Sequence, residues 1–170
     1  MPNRAASDAD LRQVVDQHAS GVYRVARAIV RDDALADDVV QETMVKAWRY
    51  GPRDDDGQIP KAWLYKVARN AAISLLRRRR EDLRDPSTMG ETIDGGASTD
   101  RTVEGRLQLE DLWDAMATLQ PEARTLIALR EVDGLSYEDI AETLDLPLPT
   151  VKTRLFRARR DLKVALKEWR

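Results

Sequence analysis

Apolar residues in the first half of the chain recur at helical intervals, and nothing alternates with period two for long enough to make a strand. Leu11, Val14, Val15, His18, Val22, Val25, Ala26 and Ile29 fall on one helix face. Ser7, with Asp10 three residues on, suits the cap of that helix, and Ser20-Gly21 is a place for it to break. A second helix is expected to open at Asp32-Asp33, where carboxylates suit the positive end of a helix. Its inward stripe is Val39, Val40, Thr43, Met44, Ala47 and Trp48. A loop over 51–59 carries three consecutive Asp residues, and Pro60 then fits the first turn of a third helix, Lys61–Arg80. Trp63, Leu64, Val67, Ala68, Ala71, Ala72, Leu75 and Leu76 make its buried face.

The second half repeats the pattern. One helix is expected from Arg101 to Thr118, with Val103, Leu107, Leu112, Met116 and Leu119 inward. Pro121 starts another, carrying Leu126, Ile127 and Leu129, and Gly134 ends it. Ser136 caps a short helix through Thr143, with Asp139 completing a capping pattern. Pro147 and Pro149 mark the start of a last helix, where missing N–H groups cost little. Val151, Leu155, Leu162 and Leu166 lie on its inner side. Residues 85–100 are rich in Asp, Ser, Thr, Gly and Pro and lack a sustained apolar period. The expected fold is therefore all-α: two small helical domains, 1–83 and 105–170, joined by a flexible acidic linker, 84–104. Each is small for an independent core.

Composition narrows the chemistry. Cys is absent, which excludes disulfides and thiolate zinc sites, and the one His, His18, leaves neither a multi-histidine metal site nor a Ser-His-Asp triad. No metal or cofactor is expected. No apolar run approaches a membrane span, and the first ten residues lack the apolar core of a secretion signal, so a cytoplasmic protein is the expectation. The net charge of −2 conceals strong segregation. Residues 63–80 hold six basic residues and no acid. Residues 81–104 hold seven acids, and residues 148–170 hold eight basic residues against Asp161 and Glu168. Two positive surfaces joined by a negative strap fit a polyanion held at two places.

The strongest local feature is residues 137–156, two short helices about a tight turn. Ala141 is small where the helices would cross, and Asp145 stands where the turn needs a left-handed residue, which Asp tolerates better than most. This is the layout of a helix-turn-helix, whose second helix enters the major groove. Its outer face carries Lys152, Thr153, Phe156, Arg157 and Arg160, with Arg154 beside them. Lys and Arg reach guanine acceptors, and Phe can touch a thymine methyl. An ordinary amphipathic helix with a solvated basic side is the plainer account, but position and charge agree on DNA. The helix over 61–80 ends in four consecutive Arg residues. Cations favour a helix C-terminus, yet four in a row also repel, so phosphate contact is the better explanation. Trp63 reads as core before base-stacking platform. Asn70 reads equally as a base-edge contact or a solvent-facing residue.

Three segments, DDVVQETMVKAW (37–48), WLYKVARNAAISLLRRRR (63–80) and LPLPTVKTRLFRARRDL (146–162), resemble bacterial RNA polymerase sigma factors of the sigma-70 family. The compact layout is similar to the extracytoplasmic-function group, and the resemblance covers nearly all of the chain except the linker. The resemblance implies that Asp38, Gln41 and Glu42 dock on the clamp helices of the polymerase β′ subunit. It implies that Trp63, Lys66, Arg69, Asn70, Arg77 and Arg78 bind and open the −10 element. It gives Lys152, Thr153, Arg154, Phe156, Arg157 and Arg160 to the −35 element. Implied partners are core RNA polymerase, through its β′ and β subunits, promoter DNA and an anti-sigma factor. Nucleoid association within holoenzyme goes with them. The chain has Asp145 and Pro149 where many members have Gly, and its 51–59 loop lacks an aromatic residue. Two other classes stand beside this reading: an autonomous dimeric repressor using only the C-terminal motif, and an enzyme, for which no nucleophile, base and orienting residue converge.

Overall fold

The computed structural model describes residues 8–84 and 111–168. The expected Ser7 cap, the inward Val103 and Leu107 and the linker lie outside them. Helix α1 (Asp8–Val30) does not break at Ser20-Gly21. Glycine inside a helix costs about 1 kcal/mol against Ala, but here a Cβ would collide with the Tyr65 hydroxyl and sit 3.3 Å from the Asp133 carboxylate. The missing side chain makes room for two other elements, and Val22, Val25, Ala26 and Ile29 continue the buried face without interruption. Val15, expected inward, is exposed. Arg31 ends α1 with φ 59, and its N–H donates to the Arg27 carbonyl at 2.9 Å.

Helix α2 (Asp33–Tyr50) opens as its sequence predicts, with the Asp32 carboxylate accepting from the Leu35 N–H at 2.9 Å. Helix α3 (Lys61–Asp82) has Pro60 at its N-cap rather than in its first turn. These three helices pack on one another around Val22, Val25, Ile29, Val39, Met44, Leu64 and Ala68. Burial of this apolar surface, worth about 25 cal/mol per Å², is what holds them.

Residues 111–117 form helix α4, shorter at its C-terminal end than expected. Helix α5 (Pro121–Ile127) carries Pro121 in its first turn. It then widens into a π turn over Ala128–Val132, where the Asp133 N–H reaches back five residues to the Ala128 carbonyl at 3.0 Å. Gly134, at φ +70, ends the run as expected. Helix α6 (Tyr137–Leu144) has the full capping box: Ser136 accepts from the Asp139 N–H and Asp139 accepts from the Ser136 N–H. Asp145 follows in the left-handed conformation, φ 52, and helix α7 (Leu148–Glu168) runs from there. Ile127, Leu129, Ile140, Val151 and Leu155 are fully buried between α5, α6 and α7.

The two halves meet. Helix α1 packs on α5 and on the π turn, α3 packs on α6, and one apolar cluster runs through both. Arg124 of α5 is buried at this seam, donating to the Leu119 carbonyl at 2.6 Å and to the Ile29 carbonyl at 2.8 Å. It thereby caps the negative C-terminal end of α1 from the other half of the chain. Burial, then the nearby Arg31 charge, lower its affinity for a proton. Among the described residues there is no strand and no helix long and apolar enough to cross a membrane.

Candidate nucleic-acid interface

Helix α7 is fixed by its inner stripe, Val151, Leu155 and Ala158, which are all buried. Helical spacing then turns Lys152, Thr153, Phe156, Arg157 and Arg160 outward together, and all are exposed. Phe156 is 70% exposed, a large apolar side chain left in water between two cations. Nothing in the packing accounts for it, whereas contact with a base does. The Thr153 hydroxyl donates to the Pro149 carbonyl at 3.0 Å, and Arg160 pairs with Asp161 at 3.0 Å. Arg154 leaves this face: it lies on another edge of α7 and approaches Glu122 of α5 at 3.6 Å. Arg159 is pinned by Glu131 and by the Tyr137 hydroxyl, contacts that strengthen its hold on its proton. It braces α7 against the turn between α5 and α6.

On α3 the expected residues divide. Trp63 is half-buried against the core. Lys66 pairs with Asp145 of the helix-turn-helix at 2.6 Å. The Arg69 guanidinium donates to the Asn70 side-chain oxygen at 3.2 Å and lines a cleft of about 220 Å³, whose other wall includes Glu122, Leu126, Leu144 and Arg154. In the four-Arg run, Arg79 faces inward to Asp32 at 3.4 Å, while Arg77, Arg78 and Arg80 are exposed. The run therefore combines one helix-bracing residue with three outward cations. On α2, Asp38 and Gln41 are exposed and Glu42 is half-exposed, paired with Lys46 at 2.7 Å. Val45, 42% exposed, continues that outward stripe.

The residues that join the halves were not singled out by spacing. Asp133 has a side chain only 6% exposed, yet it accepts from Arg24 at 2.6 Å and from the Tyr65 hydroxyl. Burial first, then this carboxylate, push the Tyr65 phenol above its ordinary range. The signal available in the sequence was a glycine inside an apolar helical stripe, opposite a tyrosine inside another. No group of His, Asp and Glu side chains among the described residues could hold a metal ion.

Residues 14–81 match the model of Sigma-70 region 2, and residues 109–162 match that of Sigma-70 region 4. The chain belongs to the sigma-70 family. Within it the chain falls in the extracytoplasmic-function group. It is 36% identical over 168 residues to the ECF RNA polymerase sigma factor SigL of Mycobacterium tuberculosis, covering 96% of this chain and 93% of that protein. It is 34% identical over 144 residues to the ECF RNA polymerase sigma-E factor of Haemophilus influenzae, covering 79% and 75%. Among solved structures, this sigma factor resembles RpoE in complex with the anti-sigma factor NepR from Bartonella quintana. The TM-score is 0.76 at 29% identity, over 93% of this chain and 97% of that one. It also resembles CnrH in complex with the cytosolic domain of CnrY, with a TM-score of 0.70 at 25% identity, over 95% and 90%. Promoter recognition and transcription initiation with RNA polymerase are the function that accompanies the two matched regions.

Proposed function

We propose that this chain binds core RNA polymerase as a non-catalytic specificity subunit and divides promoter reading between its halves. Helix α7 reads the −35 element with Lys152, Thr153, Phe156 and Arg157, and Arg160 holds phosphate. Helix α3 engages the −10 element with Lys66, Arg69 and Asn70, while Arg77 and Arg78 hold phosphate and Trp63 supports the helix from its edge. Asp38, Gln41 and Glu42 of α2 dock on the polymerase. The observation that carries the reading is the outward face of α7: a capped helix-turn-helix presenting exposed Phe156 among cations, in a stretch matched to region 4.

Energetics support a shared task. Each half has a modest basic surface, but binding two sites through one polymerase makes the second contact intramolecular at high effective concentration. Opening the −10 element unstacks bases at a few kcal/mol, repaid where the extruded base is held. The two solved relatives described above are bound to an anti-sigma factor or its counterpart chain, which supports an inhibitory protein partner here. A cytoplasmic location follows from this work.

The test is binding to core polymerase and to a promoter fragment. Wild type co-elutes with core polymerase and retains a promoter duplex. Lys152→Ala and Arg157→Ala each still co-elute but weaken promoter binding by about 1–3 kcal/mol. Unchanged promoter binding in both variants removes α7 as the reader.

A further inference from the structure

We propose that the two halves of this chain close on each other into a self-inhibited state, in which Asp145 occupies Lys66 in place of promoter phosphate. The inference rests on the promoter-reading function proposed above. Its first support is geometric. Lys66, on the helix assigned to the −10 element, lies 2.6 Å from the carboxylate of Asp145, in the turn of the motif assigned to the −35 element. Two elements centred roughly 25 base pairs apart lie about 80 Å apart along a duplex. A chain whose two readers are in ion-pair contact cannot occupy both.

The second support is the contact beside it. The Asp133 carboxylate is almost wholly buried and takes donors only from the other half, Arg24 of α1 and Tyr65 of α3. Gly21 permits this approach, since a Cβ there would strike the Tyr65 hydroxyl. The π turn after α5 supplies the geometry that brings Asp133 to that place. Arg69 is drawn in as well, lining the cleft against α5 and α6. Asp133 is thus the latch and Asp145 the occupant of the DNA site. Asp145 also explains a departure from glycine: at φ 52 a glycine would be easier, but it would leave Lys66 free. Opening must precede promoter binding, so affinity for DNA is reduced by the fraction of molecules that are open.

The chain has no cysteine, so Gln13→Cys and Lys163→Cys place a donor–acceptor dye pair on exposed sites of the two halves without background. Energy transfer is expected to be high in the wild-type sequence and to fall in Asp133→Asn/Asp145→Asn. A fluorescent single-stranded oligonucleotide of mixed sequence should then bind the double variant about tenfold more tightly. Removing two negative charges favours DNA by itself, so Asp16→Asn/Asp111→Asn, which changes two exposed acids, serves as the charge match. It should keep wild-type transfer and a markedly smaller gain. Arg24→Gln/Tyr65→Phe breaks the latch from the other side while removing a cation. It tightens oligonucleotide binding if the latch exists and weakens it if only charge matters. Equal transfer in wild type and both latch variants, or an equal gain in the charge match, overturns the closed state. Promoter-directed transcription with core polymerase runs in parallel. Its absence overturns the promoter-reading function, whereas unchanged transfer with transcription intact overturns the latch alone.

Discussion

Asp145 shows how one residue can carry two opposed terms. Its left-handed backbone is strained for a residue with a Cβ, while its side chain, 71% exposed, gains an ion pair with Lys66. Glycine would remove the strain, a change usually worth about 0.4–1 kcal/mol, and an exposed ion pair is worth about 0–1 kcal/mol. Asp145→Gly is therefore expected to leave the denaturant midpoint nearly unchanged, and a loss above about 2 kcal/mol would show a further role. Tyr65 offers a pH-dependent readout. Its folded-state pKa is raised, so the contribution of its contact is intact below the ordinary phenol value near 10 and is lost as pH rises through the raised value. Tyr65→Phe should remove one late-ionising phenol from the alkaline absorbance titration; an unchanged late phase would contradict the Asp133 contact. Tyr23, pushed up to about 12 by burial and by Asp33, stays in both traces. Thr43 is fully buried, and its hydroxyl has no partner among the described residues. Thr43→Val should hold or raise stability by about 1 kcal/mol, read from the denaturant midpoint.

At the scale of the element, local chemistry was decisive wherever it was self-contained. The Ser136–Asp139 box, the Asp32 cap, Pro121 and the left-handed Asp145 were all legible, because each depends on a few neighbouring residues. Ser136→Ala should cost about 0.5–2 kcal/mol in thermal or denaturant unfolding, with no shift identifying a cap that contributes nothing. Elements were misread where distant packing overrode local preference. Gly21 reads as a break but is an opening for Tyr65 and Asp133, supplied by residues far along the chain. The π turn at 128–132 has no spacing signature, since one extra residue per turn is set by how Leu129 and Leu135 pack. Arg154 sits among the cations of α7 in sequence, but the hundred-degree step between helix residues turns it toward Glu122.

At the scale of the molecule, the all-helical class and the basic character of α3 and α7 followed from periodicity and charge. The seam between the halves did not, because it depends on buried polar groups that satisfy one another across long sequence separations: Arg124 on the Ile29 carbonyl, and Asp133 on Arg24 and Tyr65. Such groups look unremarkable in one dimension. The whole-molecule claim is that this chain gives RNA polymerase its choice of promoter, and run-off transcription tests it most directly. Core polymerase is mixed with the chain and with fragmented DNA from its source, and RNA 5′ ends are mapped. Discrete start sites that appear only with the chain and share motifs about 10 and about 35 bases upstream are the expected result. No specific start, together with a footprint made by the chain alone, would contradict it.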